Sequence, residues 1–148
     1  MITQIERRTM MMKWDLKSIF YHILINPCDY WLLVFEWQEK FYMNMFLSFD
    51  LRIASWIFNF FAEALHWVFK TLEEWNVIHY LDDFLFVFPS GIDTTYLSAE
   101  FDHILAKFDL SKATKKNAND CIIIHLDFKF DSIKMQVSLS SNKKNFVY

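Results

Sequence analysis

Two aspartates, Asp82 and Asp83, stand side by side in HYLDDFLFVF, residues 79–88, a stretch whose other residues are mostly aromatic or branched and which reads as a buried strand. Adjacent carboxylates repel one another and are costly to desolvate, so the pair needs a reason. Two reasons stand open. Asp is a common residue at an exposed hairpin turn. Alternatively, carboxylate oxygens are the ligands that Mg²⁺ prefers, and two such ions about 4 Å apart activate an attacking hydroxyl and stabilise the leaving oxygen of a phosphoryl transfer. The ions would also offset the repulsion between the charges. A metal pair needs a third carboxylate from elsewhere in the chain. Asp15, which ends the apolar run MMMKWD, is the candidate, and only the fold can bring it near.

The elements that must position these groups follow from periodicity. Residues 10–15 form a short strand ending at Asp15, and Leu16, Ile19, Phe20 and Ile23 suit a helical turn or two. NPCDYW is a loop in which Asp29 is a possible helix cap. LLVFEWQEKFYMNMF reads as a hairpin around Gln38-Glu39-Lys40. From Leu51 to about Trp75 the period changes, with Ile57, Phe61, Ala64, Leu65, Val68 and Leu72 spaced as the buried face of one long helix capped by Asp50. NVIHYLDDFLFVF is a second hairpin with the aspartates at or near its turn, closed by Pro89, Ser90 and Gly91. Residues 93–108 form another helix that buries Leu97, Phe101, Ile104, Leu105 and Phe108, and CIIIHLDFKFDSIKMQVSL is a third hairpin around Asp131-Ser132. This order, without strict βαβ alternation, predicts an α+β fold with helices on one face of an antiparallel sheet.

Composition sets the bounds. The 148 residues suffice for one domain with a real core, and 54% hydrophobic with 20% aromatic residues excludes disorder. The single glycine, Gly91, contrasts with a usual content of roughly 7%. Turns that need positive φ have therefore lost their preferred residue, as in a decayed copy of a once-active gene. Two cysteines are too few for a disulfide scaffold or a zinc site, which points to an intracellular setting, cytoplasm or nucleus. The amino-terminal segment does not read as a secretory signal, and residues 53–69, interrupted by Glu63 and His66, read as a buried amphipathic helix rather than a membrane span. A net charge of −3 counts against a complete stand-alone nucleic-acid binder, although lysines cluster at Lys112, Lys115 and Lys116 and at Lys143 and Lys144.

Four motifs, WDLKSIFYHILINP, FLSFDLRIASWIFN, HYLDDFLFV and HLDFKFD, stand in an order that resembles the palm of retroelement reverse transcriptases. WDLKSIFYHILINP resembles the first palm motif, Asp-Leu-Lys-x-small-Phe/Tyr before an alternating run ending in proline. FLSFDLRIASWIFN resembles the second, Leu-Pro-Phe-Gly-Leu-x-x-Ala-Pro, and HYLDDFLFV the third, Tyr-x-Asp-Asp between strands. HLDFKFD resembles the Phe-Leu-Gly of the last palm hairpin. The similarity runs from about residue 11 to about 140 and is nearest in flavour to long-terminal-repeat-like or tyrosine-recombinase (DIRS-like) retrotransposons. It implies a polymerase palm, residues 1–148, with a fingers-like insertion at about 28–48. It further implies template-directed nucleotidyl transfer with two Mg²⁺ ions, Mn²⁺ being the alternative. Partners would be an RNA or DNA template-primer and a deoxynucleoside triphosphate, with no membrane.

By that resemblance, Asp15, Asp82 and Asp83 hold the metals, with the Leu16 carbonyl. Phe20 is the aromatic gate beneath the sugar, and Phe49, Arg52 and Asn59 surround the nucleotide. Tyr80 and Phe58 lie by primer and template, and Lys115, or Lys116 in the other register, approaches the leaving pyrophosphate. Departures are specific. Ser48-Phe49-Asp50 replaces Pro-Phe-Gly, and a carboxylate at that place repels a triphosphate. Ser55 replaces a proline, Ile19 a small residue whose place is near the sugar, and Asp127 a glycine. The family's upstream fingers, thumb and RNase H regions have no counterpart in these residues and are expected from a longer polyprotein. The implied activity is therefore impaired, and the alternative is a catalytically dead remnant that serves as a folded or partner-binding domain.

Overall fold

The computed structural model describes residues 6–72, 75–113 and 118–140. Its centre is a four-stranded antiparallel sheet built from β1 (Met10–Asp15), β4 (Asn76–Tyr80), β5 (Asp83–Phe88) and β6 (Ala118–Asp120), in the order β4-β5-β1-β6. β2 (Val34–Trp37) and β3 (Lys40–Met43) form a separate hairpin, and β7 (Ile122–His125), β8 (Phe128–Asp131) and β9 (Gln136–Leu139) form a three-stranded sheet. Two helices, α1 (Ala54–Leu72) and α2 (Thr94–Ala106), complete the α+β fold, and two 3-10 segments, Ile19–His22 and Pro27–Leu33, link β1 to β2.

Side chains of a strand alternate between faces, and this divides the central sheet cleanly. Met12 and Trp14 of β1 and Phe84, Phe86 and Phe88 of β5 point toward the helices. There they join Phe58, Ala62, Leu65 and Phe69 of α1 and Leu97, Phe101, Ile104 and Leu105 of α2 in the main core. Trp14 stacks on Phe101 at 4.0 Å, and Phe69 meets Trp75, Phe86 and Phe101. The alternate residues Met11 and Leu85 point the other way and pack on Ile123 and Phe130 of the three-stranded sheet. Helices thus cover one face, and the β7–β9 sheet covers part of the other.

Several boundaries differ from the sequence expectation. α1 begins at Ala54, so Asp50 lies in the turn before it and is not its cap. Its buried stripe is Ala54, Phe58, Ala62, Leu65 and Phe69, rotated from the predicted one; Ala64 is exposed. The helix is apolar on nearly every side, with Trp56, Phe60 and Trp67 exposed, so periodicity alone does not choose the face. Asn26, not Asp29, caps the Pro27–Leu33 segment, its side chain accepting from the Cys28 N–H at 3.0 Å. Asp93 caps α2, and Phe108 lies beyond it, exposed. The carboxy-terminal hairpin is a three-stranded sheet, because a tight turn at Leu126-Asp127 divides the predicted first strand.

The shortage of glycine has a structural counterpart. Among the described residues, nine other than glycine have positive φ, including Gln38 and Glu39 at one hairpin turn, Leu81 at the second, and Leu126 and Asp127 at the third. These are the backbone positions that glycine or asparagine fills at least cost.

Candidate functional site

β1 and β5 run antiparallel with Asp15 directly opposite Asp83. Beyond this pair the Leu16 N–H donates to the Asp82 carbonyl at 3.2 Å, which fixes the end of β1 against the β4–β5 turn. The early aspartate and the doublet are therefore on one edge of one sheet. Asp15 is 2% exposed, and its carboxyl shares a hydrogen bond with Asp82. Burial is the first cause that raises the Asp82 pKa, to about 6; the hydrogen bond with Asp15 and the charges of Asp15 and Asp83 add to it. A hydrogen bond between two carboxyl groups requires that one of them carry a proton. Asp83 has a different partner: its Oδ1 lies 3.2 Å from Lys13 Nζ.

Lys13 and His125 are the residues of this cluster that the motifs did not indicate. Lys13 precedes Asp15 by two positions and so shares its face of β1. His125 alternates with Ile123 on β7 and faces the same side, 2% exposed, with neither ring nitrogen hydrogen-bonded. Burial first, then the Lys13 charge, lowers its pKa, against the opposing charge of Asp83. The signal for both was period-two alternation: a lysine inside an apolar strand, and a histidine after three isoleucines.

A cleft of about 260 Å³ opens beside the first palm motif, lined by Ser18, Phe20, Tyr21, Asn44, Phe46, Leu47, Ser48, Phe49 and Asp50. Phe20 and Phe49 meet edge to face at 5.3 Å. Phe58 stacks on Phe20 at 4.7 Å but is fully buried, so it supports this wall from behind and offers no surface to a template. Ile19 also points into the core, 2% exposed, and does not line the cleft; the expectation that its bulk crowds a sugar is not met. Asp50 does line it. Arg52 and Asn59 are exposed, Arg52 beside Ile53 and Trp56 in a shallow depression. Tyr80, opposite Asp83 on the other side of β5, is 61% exposed.

Lys115, Lys116, Lys143 and Lys144 lie outside the described residues. Lys112 is engaged elsewhere, pairing with Asp102 at 2.8 Å and lying over the Trp14 ring. On the helix side, His66 and His79 meet Nδ1 to Nδ1 at 3.0 Å, with Glu63 3.8 Å from His79 Nε2.

The donor set fits two divalent ions poorly. Mg²⁺ requires ionised, open carboxylates in near-octahedral geometry, whereas Asp82 and Asp15 bond to each other and Asp83 pairs with an ammonium. Among the described residues, no group of three or more His, Cys, Asp or Glu side chains is arranged to hold a metal ion. No helix among them is long and apolar enough to cross a membrane.

Comparison with solved structures places the fold. The foamy viral protease-reverse transcriptase in complex with dsDNA matches 97% of the chain at 20% identity with a TM-score of 0.77, over 29% of its own length. The same type of enzyme in complex with an RNA/DNA hybrid matches 97% of the chain at 18% identity and a TM-score of 0.72, over 19% of its length. Native prototype foamy virus protease-reverse transcriptase matches 88% at 23% identity and a TM-score of 0.65, over 17% of its length. The chain therefore has a reverse-transcriptase-like palm fold and spans less than a third of these structures. No protein-family model and no curated protein matches the sequence.

Proposed function

We propose that this chain is a reverse-transcriptase-type palm whose polymerase chemistry is disabled, and that it acts as a folded domain that binds a partner. One observation carries this reading: the carboxylates that the motifs assign to metal are together, but Asp15 and Asp82 are hydrogen-bonded to one another and Asp83 is paired with Lys13. Nucleotidyl transfer from a deoxynucleoside triphosphate to a primer 3′-hydroxyl depends on metal ions that neutralise the phosphates. Carboxylates engaged with one another and with an ammonium are unsuited to that role. Asp50 in the cleft adds a charge of the wrong sign for a triphosphate.

A partner-binding role is supported by the β2–β3 hairpin, all eight of whose strand residues are exposed, Phe35, Trp37, Phe41 and Tyr42 among them. Phe35 and Tyr42 stack on one face of it beside Trp37, and exposed aromatic residues grouped in this way mark an interaction site. This hairpin is the core of the fingers-like insertion at about 28–48, within a partial palm covering residues 1–148. The retrotransposon type rests on the motifs alone, and an intracellular setting rests on the two free cysteines.

Residual polymerase activity is the second reading, favoured by the cleft that Phe20 and Phe49 line. In that case RNA or DNA template-primer and a deoxynucleoside triphosphate are the partners. Primer extension with Mg²⁺ and with Mn²⁺ separates the two readings. The disabled palm yields no product above the Asp82→Asn control, and extension that Asp82→Asn abolishes would establish a polymerase.

A further inference from the structure

The place that the palm motifs reserve for metal holds a cation of the protein's own. Lys13 stands opposite Leu85 in the β1–β5 register, so Asp83, the next residue of β5 on that face, is its diagonal neighbour. The Nζ to Oδ1 distance is 3.2 Å, and the side chains are only 16% and 24% exposed. β1 is an inner strand, flanked by β5 and β6, which limits how far its side chains can turn away. On the same side lies His125, buried, with no hydrogen bond from either ring nitrogen. It gives Asp83 no alternative counter-charge, and burial favours its neutral form.

Separating two enclosed groups of opposite charge is costly, because each is left without a counter-charge. A divalent ion bound to that Asp83 oxygen at about 2.1 Å would lie no more than about 5.3 Å from the ammonium. Like charges at that separation, in a poorly hydrated site, oppose one another strongly. Lysine and a divalent ion are therefore alternatives at Asp83.

We propose that Lys13 is a built-in counter-ion that takes the place of a divalent cation at Asp83 and sets the selectivity of the carboxylate cluster against metal. This rests on the reading that the cluster is closed to metal, and it names the residue that closes it. Lys13→Met retains most of the stem and removes the charge; Lys13→Arg retains the charge.

The test is Mn²⁺ binding followed by electron paramagnetic resonance, alongside thermal melts. The wild-type chain and Lys13→Arg show no saturable site. Lys13→Met gains one, tighter than any wild-type binding by about tenfold or more, and Lys13→Met with Asp83→Asn loses it. If Lys13→Met does not fold alone, Mn²⁺ restores its cooperative melt. Absence of binding in both the wild type and Lys13→Met, or a failure of Mn²⁺ to restore that melt, overturns the role of Lys13 and leaves the closed cluster standing. Saturable binding by the wild-type chain overturns the closed cluster itself.

Discussion

Asp15 and Asp83 face each other across the β1–β5 ladder, and Asp82, at the turn beside them, shares a hydrogen bond with Asp15. Residues far apart in the chain thus form one acidic edge. Burial and this bond raise the Asp82 pKa from 3.8 to about 6. The folded state then holds a proton that the unfolded state has released between those values, so this group's contribution is fully present below pH 3.8 and is lost as pH rises through 6. Asp82→Asn retains a donor for Asp15 and carries no charge. It should raise stability at pH 7.5 by about 1 kcal/mol and leave stability below pH 4 nearly unchanged, as read from urea midpoints at the two pH values.

The histidines act in the opposite sense. His66 and His79 join α1 to β4 through their Nδ1 atoms, and burial is the first cause lowering both pKa values from 6.5. The unfolded state takes up protons first, so stability is full above pH 6.5 and falls as pH drops through 6.5 toward the lowered folded values. His79 also stacks on Phe84 at 5.3 Å. His79→Phe preserves an aromatic ring there and should flatten the decline in melting temperature between pH 7 and pH 5.

The core makes a sharper contrast. Phe69 is fully buried among Trp75, Phe84, Phe86 and Phe101, while Phe60 on the same helix is 61% exposed. Phe69→Ala should lower unfolding free energy by about 3–5 kcal/mol, and Phe60→Ala by about 0.5 kcal/mol or less. Equal effects in equilibrium denaturation would contradict the assigned face of α1.

Positive-φ turns give a gain rather than a loss. Leu126 and Asp127 both have left-handed φ at the β7–β8 turn, and leucine is poorly suited to that region. Leu126→Asn with Asp127→Gly supplies the residues that such a turn prefers and should add about 1 kcal/mol. The urea midpoint should rise with an unchanged slope.

The carboxylate edge was legible because its parts carry strong local signals. A charge ends an apolar strand at Asp15, and a doublet interrupts another at Asp82-Asp83. Motif order supplied the pairing that spacing alone leaves undetermined. The face of α1 was not legible, since Trp56, Phe60 and Trp67 make its outer side as apolar as its inner one. The Leu126-Asp127 turn was obscured because leucine is not a usual residue at positive φ and a lone aspartate fits the apolar-polar alternation, so HLDFKFD reads as continuous strand. Lys13 and His125 were visible as alternating positions, but their significance depends on contacts between elements distant in sequence.

Asp15 and Asp82 are engaged with one another, and Asp83 with Lys13, in place of a divalent ion. The most direct measurement is a carboxyl ¹³C NMR titration of Asp82, with and without millimolar Mg²⁺. The account predicts a midpoint near 6 that Mg²⁺ leaves unmoved. A midpoint near 3.8, or one that Mg²⁺ drives sharply downward, would contradict it.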